Sequence, residues 1–399
     1  MANPLVAYAA GMTAPTTVRQ RALAVLRYQD ARVPLVHFGF WGETLAKWAD
    51  QNHISRELAR SWGDGNDADA EIGRRLGFDT NWYACFHMQT HLRPGFAREV
   101  VRELPDGSRH VRNSDGVVEL QRAEAGSIPA EIEHLLSDRA SFDQHYRHRW
   151  QWDDDRVDHA QVRLGGNVWK RFDQGGAAFL AADTREFHYG IHCGSLIGSI
   201  RSVIGVERLS YLSADDPDLL TEIVGINADV CYRAVERALA TGARFDFGHF
   251  WEDVCYKNGP LVSPRFFRTV VAPHYRRIAD LLGRHGIDIV SVDCDGCIDT
   301  LVPIWLEHGI NTMFPIEVGT WRASIAPWRD RLGRSLRGVG GMDKTVFAKD
   351  AAAIDAEVER LKPLVALGGF IPCPDHRIAP DAEWALVQRY CDKMRVAFG

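Results

Sequence analysis

The chain has 399 residues, 46% of them hydrophobic and 25% charged, and a formal net charge of −6. That composition suits a globular protein with a sizeable core, and the acidic balance argues against a nucleic-acid or anionic-membrane partner. No run of about 18 apolar residues occurs, so no membrane-spanning helix is expected. Met1 to Met12 is short, apolar and lacks a basic start, and reads as a packed arm and not a signal peptide. Eight cysteines (Cys85, Cys193, Cys231, Cys255, Cys294, Cys297, Cys373 and Cys391) are spread thinly through the chain. That is no disulfide framework, and a reducing, cytoplasmic setting is expected.

Taken in chain order, Thr16 to Tyr28 has amphipathic helical spacing, with Thr16 or Thr17 as cap. Val33 to Gly39 reads as a first strand, and Glu43 to Asp50 and Glu71 to Leu76 as helices. Residues 97–125 carry alternating runs around Asp106-Gly107 and Asp115-Gly116, a hairpin signal that predicts an antiparallel insertion. Ala140 to Asp158, rich in Trp, His and Arg with interleaved acids, reads as a solvated helical excursion.

From residue 215 the pattern is regular. Pro217 to Ala240 reads as a long helix capped by Asp216 and closed at Gly242, and Pro264 to Gly286 as a helix capped by Ser263. Strands at 245–249, 287–293, 312–318, 336–340 and 370–372 alternate with helices at 298–309, 326–332, 350–367 and 381–398. Apolar strands alternating with helices imply parallel βα units. The predicted fold class is α/β, a distorted (β/α)8 barrel in a single domain spanning 1–399, and chemistry is then expected at the C-terminal ends of the strands.

Those ends hold the candidate site residues. Asp293 and Asp295, at i and i+2, share a strand face and suit metal binding or acid–base work with split pKa values, unless one caps the following helix. Cys294 and Cys297 form a Cys-x-x-Cys spacing at a strand-to-helix turn, and Cys373 and His376 follow the last strand. Zinc held by Asp293, Asp295, Cys373 and His376, with Cys294 or Cys297 as alternatives, is one reading; unliganded buried thiols are the other. In the loop after the strand at 245–249, Glu252 is a candidate acid or base and Lys257 a candidate anion holder. A salt bridge from Glu252 or Asp253 to Lys257 is the plainer alternative. His37, His249 and Glu317 complete the substrate-binding candidates, although a lone His37 or His249 is more often a hydrogen-bonded core residue. Gly338 to Lys344 could cradle an anion, but a tight turn that needs glycine is the favoured reading. Gly194-Ser-Leu-Ile-Gly198 lacks nucleophile-elbow spacing, which excludes a serine hydrolase.

Several of these stretches occur together and in order: Val33-Pro-Leu-Val-His-Phe-Gly39, Gly194-Ser-Leu-Ile-Gly198, Trp251-Glu-Asp-Val-Cys-Tyr-Lys-Asn-Gly-Pro260, Asp293-Cys-Asp-Gly296, Gly340-Gly-Met-Asp-Lys344 and Gly368-Gly-Phe-Ile-Pro-Cys-Pro-Asp-His376. Over roughly residues 16–398 the chain resembles the uroporphyrinogen decarboxylase-like superfamily, which includes porphyrinogen decarboxylases and cobalamin-dependent methyltransferases. The resemblance implies a distorted (β/α)8 barrel. The decarboxylases' arginine-rich N-terminal motif is absent after the first strand, which argues against a polycarboxylate porphyrin. Where the zinc methyltransferases carry a His-x-Cys pair, this chain has Asp293-x-Asp295, with Cys373 near the position of their distant cysteine. The resemblance therefore implies methyl transfer, with a corrinoid on a partner protein or a small methyl donor, and zinc as a candidate metal. A decarboxylase or lyase acting on a small or porphyrinogen-like acid is the alternative, and a non-catalytic small-molecule binding barrel is a third. The sequence allows a homodimer without specifying one.

Overall fold

The computed structural model describes residues 17–122, 129–165 and 167–399, so the expected N-terminal arm and Thr16 lie outside the described residues. Short apolar segments form eight parallel strand positions in chain order. β1 (Val36–His37) pairs with the first half of β2 (Thr80–Asn81), and the second half of β2 (Cys85–Phe86) pairs with β3 (Gly190–His192). One continuous sheet then runs through β4 (Gly248–Trp251), β5 (Val290–Asp293), β6 (Thr312–Phe314), β7 (Arg337–Met342) and β8 (Phe370–Pro374). β8 packs back on β1, and Phe40 bridges in parallel to Ile378. The ring is thus distorted in two places. β2 is interrupted by a turn, and the β8–β1 seam rests on packing and a bridge where the other neighbours share a ladder.

Strand parity decides what faces inward. Val36, Phe38, Cys85, Phe247, Ile289, Phe314, Val339, Ile371 and Cys373 form one buried apolar cluster inside the ring. The helix Val18–Leu26 contributes Ala22, Val25 and Leu26 to the same cluster. Thr17 starts that helix with a reciprocal capping box to Gln20. It lies across the strand beginnings: Gly369 N–H donates to Val25 O, Tyr28 OH to Leu336 O, and Arg19 pairs with Asp246 at 2.7 Å. One end of the ring is therefore plugged. The opposite end, where the strands finish, is left for the loops that carry the polar residues.

Local signals worked where they had caps. Pro217–Ala240 is a helix whose Asp216 side chain accepts from Leu219 N at 3.0 Å, and Asp350 caps Ala351–Ala366. Ser263 caps the next helix, which passes through a π turn at Phe267–Val271 before continuing as Ala272–Arg284. The strand expected at 245–249 forms later, at Gly248–Trp251, because its ladder with β5 begins at Gly248. The helix expected from Ile298 starts only at Val302, so neither Asp293 nor Asp295 caps it.

The predicted antiparallel insertion is a four-stranded sheet of Glu99–Glu103, Arg109–Arg112, Val117–Gln121 and Ala130–His134, which extends beyond residue 125. Gly107 and Gly116 take φ of 81° and 82° at its turns, which a side chain would strain. The excursion at 140–158 is solvated along its acidic positions but packs its aromatic side inward. Phe142, Tyr146, Trp150 and Val157 are buried, and the fully buried Arg156 donates to the carbonyls of Gln89, His91, Arg149 and Gln151. Those four acceptors satisfy a guanidinium that could not otherwise be buried. All eight cysteines are free, and among the described residues no helix is long and apolar enough to cross a membrane.

Candidate active site

Asp293 ends β5, opposite Trp251 at the end of β4. Beyond Trp251 the chain turns sharply, with Asp253 at φ 38°, and Asp253 Oδ1 accepts the backbone N–H of Asp295 at 3.0 Å. The turn and the strand end thereby converge: carboxylate oxygens of Asp253, Asp293 and Asp295 all lie within 4.8 Å of one another. Asp293 is 3% exposed, and its carboxylate receives no hydrogen bond among the described residues. Asp295 Oδ2 accepts from His376 Nε2 at 3.0 Å, while Asp295 Oδ1 and His376 Nδ1 are buried without partners. His376 is held in place by stacking on Trp41 at 5.5 Å and by the edge of Phe38.

Three close carboxylates in a low-dielectric mouth cannot all stay ionised without a counter-charge. Burial, reinforced by Asp295, pushes Asp253 up to about 7, and burial with the charges of Asp253 and Asp295 holds Asp293 well above the usual carboxylate range. Arg377 is near, but its guanidinium is committed to Asp64 at 3.0 and 2.6 Å. The site is therefore built to take protons or a cation.

Beside the triad lies a cavity of about 610 Å³, lined by Asp253, Asp295, Glu317, Arg201 and Lys257 among others. Glu317 begins the helix Val318–Trp321. It accepts from Gly296 N–H and from Thr320 Oγ1, and burial and then Asp295 raise its pKa. Lys257 is exposed, and among the described residues no carboxylate lies within 4 Å of its ammonium, so the loop salt bridge is not formed.

Other candidates lie elsewhere. Glu252 is fully buried and accepts from Ser195 Oγ and the amides of Leu196, Ile197 and Gly198 at 2.8–3.2 Å, so its oxygens are occupied away from the cavity. Cys373 sits inside the ring among apolar side chains, and burial holds its thiol well above its ordinary pKa. No helix begins at Cys294 or Cys297 to favour a thiolate. Cys294 is buried and its pKa is raised, and the Cys297 amide donates to Tyr256 O. The thiol-containing zinc set does not assemble; the donor set that does is carboxylate oxygen with one imidazole at its edge. His37 is a core residue between Phe40 and Phe78, accepting from Gly39 N–H. His249 faces the ring interior, bonded to Ser291 Oγ at 2.6 Å, with burial lowering its pKa to about 3. At the end of the Gly338–Lys344 stretch, the Lys344 amide is already taken by a carboxylate of the chain itself. Asp375 accepts from the amides of Val318, Gly319 and Lys344, tying together the segments after β6, β7 and β8.

Two residues escaped the sequence reading. Asp253 was visible as an acid after a strand, but only its left-handed turn brings it to Asp293. Arg201 carried no signal at all, because the helix Gly198–Ile204 that presents it was not foreseen.

No family model matches the sequence, and no curated protein matches it. Among solved structures, a methyltransferase from Methanosarcina mazei superposes with a TM-score of 0.57 at 13% identity, covering 96% of this chain and 99% of that one. This chain shares that structure's fold, an α/β barrel. A B12-independent methionine synthase from a Shewanella species aligns over 91% of the chain and 96% of its own length at 10% identity and a TM-score of 0.46, too loose to add weight. At such identities the barrel is shared and site residues cannot be transferred, so the chemistry rests on the carboxylate mouth itself.

Proposed function

We propose that this barrel is an enzyme of methyl transfer acting on a small molecule at the Asp253–Asp293–Asp295 mouth. In this reading a divalent cation is held by the three aspartates, with His376 at their edge. The observation that carries it is the convergence of three carboxylates within 4.8 Å, with the guanidinium of Arg377 already paired to Asp64. The shared fold with a methyltransferase supports the reaction class. A bound cation would supply Lewis acidity toward a substrate oxygen or leaving group. An oxygen-rich set suits magnesium or manganese and is also within zinc's range.

The chain's own residues do the rest. In the absence of a cation Asp253, with a pKa of about 7, holds a proton that a bound cation would displace near neutrality. Asp295 orients His376 through Nε2, and His376 Nδ1 is buried without a partner among the described residues. Lys257 holds an anionic substrate group at the cavity wall. A corrinoid on a partner protein, or a small carrier, would supply or accept the methyl group. The second reading, decarboxylation or lysis of a small acid, draws on Asp293: protonated because of its burial, it could deliver a proton to a carbanion-like centre.

Metal content after incubation with zinc, magnesium or manganese and desalting tests the site, alongside a methyl-transfer assay to free cob(I)alamin from a panel of methylated donors. Stoichiometric metal is expected in the wild type, lost in Asp293→Ala and retained in Cys373→Ser. Absence of bound metal would reject the cation and leave the aspartates as acid–base groups. Decarboxylation without methyl transfer would favour the second reading.

A further inference from the structure

The cavity beside the triad has a second pole. Arg201 and Lys257 line the same 610 Å³ space as Asp253, Asp295 and Glu317. In a chain where most arginines are paired, Arg201 has no ion pair and donates no hydrogen bond among the described residues. Its Nε is buried without a partner, and its guanidinium lies 5.9 Å from the Trp251 ring. Lys257, exposed on the loop after β4, also lines the cavity and has no ion pair among the described residues.

The placement of Arg201 is built. Glu252 accepts the amides of Leu196, Ile197 and Gly198, which fixes the start of the helix Gly198–Ile204 against the end of β4, and Asn227 Nδ2 holds Ser195 O at 2.6 Å. Arg201 follows one turn later on that helix. The two side chains that the sequence places together, Glu252 and Asp253, thus have separate tasks: one anchors the helix that presents the cation, and the other contributes to the triad.

We infer that Arg201 and Lys257 form an anion subsite that grips a carboxylate or phosphate group of the substrate, with the substrate's reacting end toward the aspartates. A planar guanidinium provides paired donors matched to an oxyanion, and a mobile ammonium adds a point charge. Two unpaired cations in a space that also holds a carboxylate cluster would orient a ligand with one anionic end. The inference rests on the proposed reading for what happens at the aspartates, but the anion grip stands independently of any metal.

Isothermal titration with acetate, inorganic phosphate and acetamide, the neutral isostere of acetate, tests it, each run in chelator and again with a saturating divalent cation. Saturable binding of acetate or phosphate in chelator is expected, with acetamide at least about tenfold weaker. Arg201→Met and Lys257→Met should each weaken the anion by about tenfold or more, with Arg201→Lys recovering part of the loss and all three keeping the wild-type Tm. Anion binding that needs the cation and ignores Arg201→Met would place the anion on the metal, overturning the subsite while leaving the metal reading intact. No anion binding in either condition, or equal binding of acetamide, overturns it as well. Anion binding that depends on Arg201 in a protein that retains no metal would keep the subsite and reject the metal.

Discussion

Glu252 offers the sharpest test of whether acidity in the mouth is chemical or structural. It is fully buried, and four donors converge on its two oxygens: Ser195 Oγ and the amides of Leu196, Ile197 and Gly198. Each buried donor left unpaired costs about 1–3 kcal/mol, so Glu252→Ala strands about 4–12 kcal/mol of hydrogen-bonding demand before water fills part of the gap. A net loss of at least about 4 kcal/mol is expected, in the range that single substitutions reach only through a named defect of this kind. Glu252→Gln keeps one acceptor oxygen but turns an amide toward N–H groups, and should lose roughly half as much. Urea unfolding followed by circular dichroism, with m unchanged, measures both. A loss below about 1 kcal/mol for Glu252→Ala would refute the structural assignment. If activity vanished while stability held, Glu252 would return to the chemistry.

The same turn predicts that Gly198→Ala will not fold stably, since its Cβ would sit 1.9 Å from the Glu252 carbonyl oxygen, a backbone atom with nowhere to move; soluble expression and Tm report it. Metal binding should depend on pH with a definite sign. Asp253, at about 7 when folded against 3.8 ordinarily, favours the metal-free fold most at low pH and loses that contribution as pH rises toward 7. A cation must displace those protons, so the Tm gain on adding metal should be larger at about pH 8 than at about pH 6; an equal or reversed gain would exclude the aspartates as ligands. Cys373→Ser should retain metal but lose about 1–3 kcal/mol in urea unfolding, because it puts a hydroxyl into an apolar ring interior; loss of metal with stability intact would restore the thiol as a ligand.

Much of the barrel was legible in order along the chain. Caps such as Asp216, Ser263 and Asp350 announce helices through bonds made within a few residues, and Asp-Gly pairs announce hairpins in the same local way. The C-terminal strand ends marked the neighbourhood of Asp293, Asp295, Glu317 and His376 for the same reason. Roles within that neighbourhood were not local. Glu252 and Asp253 are adjacent, yet one carboxylate turns into the loop at 195–198 and the other toward Asp293, a difference set by the left-handed turn at Asp253 and by the donors waiting on β3's loop. Cys373 and Asp375 stand at i and i+2, but the strand ends at Pro374: the thiol still faces the ring interior, while past the strand end three amides from two other loops capture the carboxylate. Arg201 belongs to a helix with no side-chain cap, so nothing near it in the chain declared its position. Sequence alone determined most of the capped helices and the C-terminal strands, and at which end polar residues gather, because those depend on contacts within a few residues and on strand periodicity. Only the tertiary structure decided which acids share a cation site, which carboxylates serve backbone amides and which cations stay unpaired, because each of those depends on partners that the barrel brings together from distant strands.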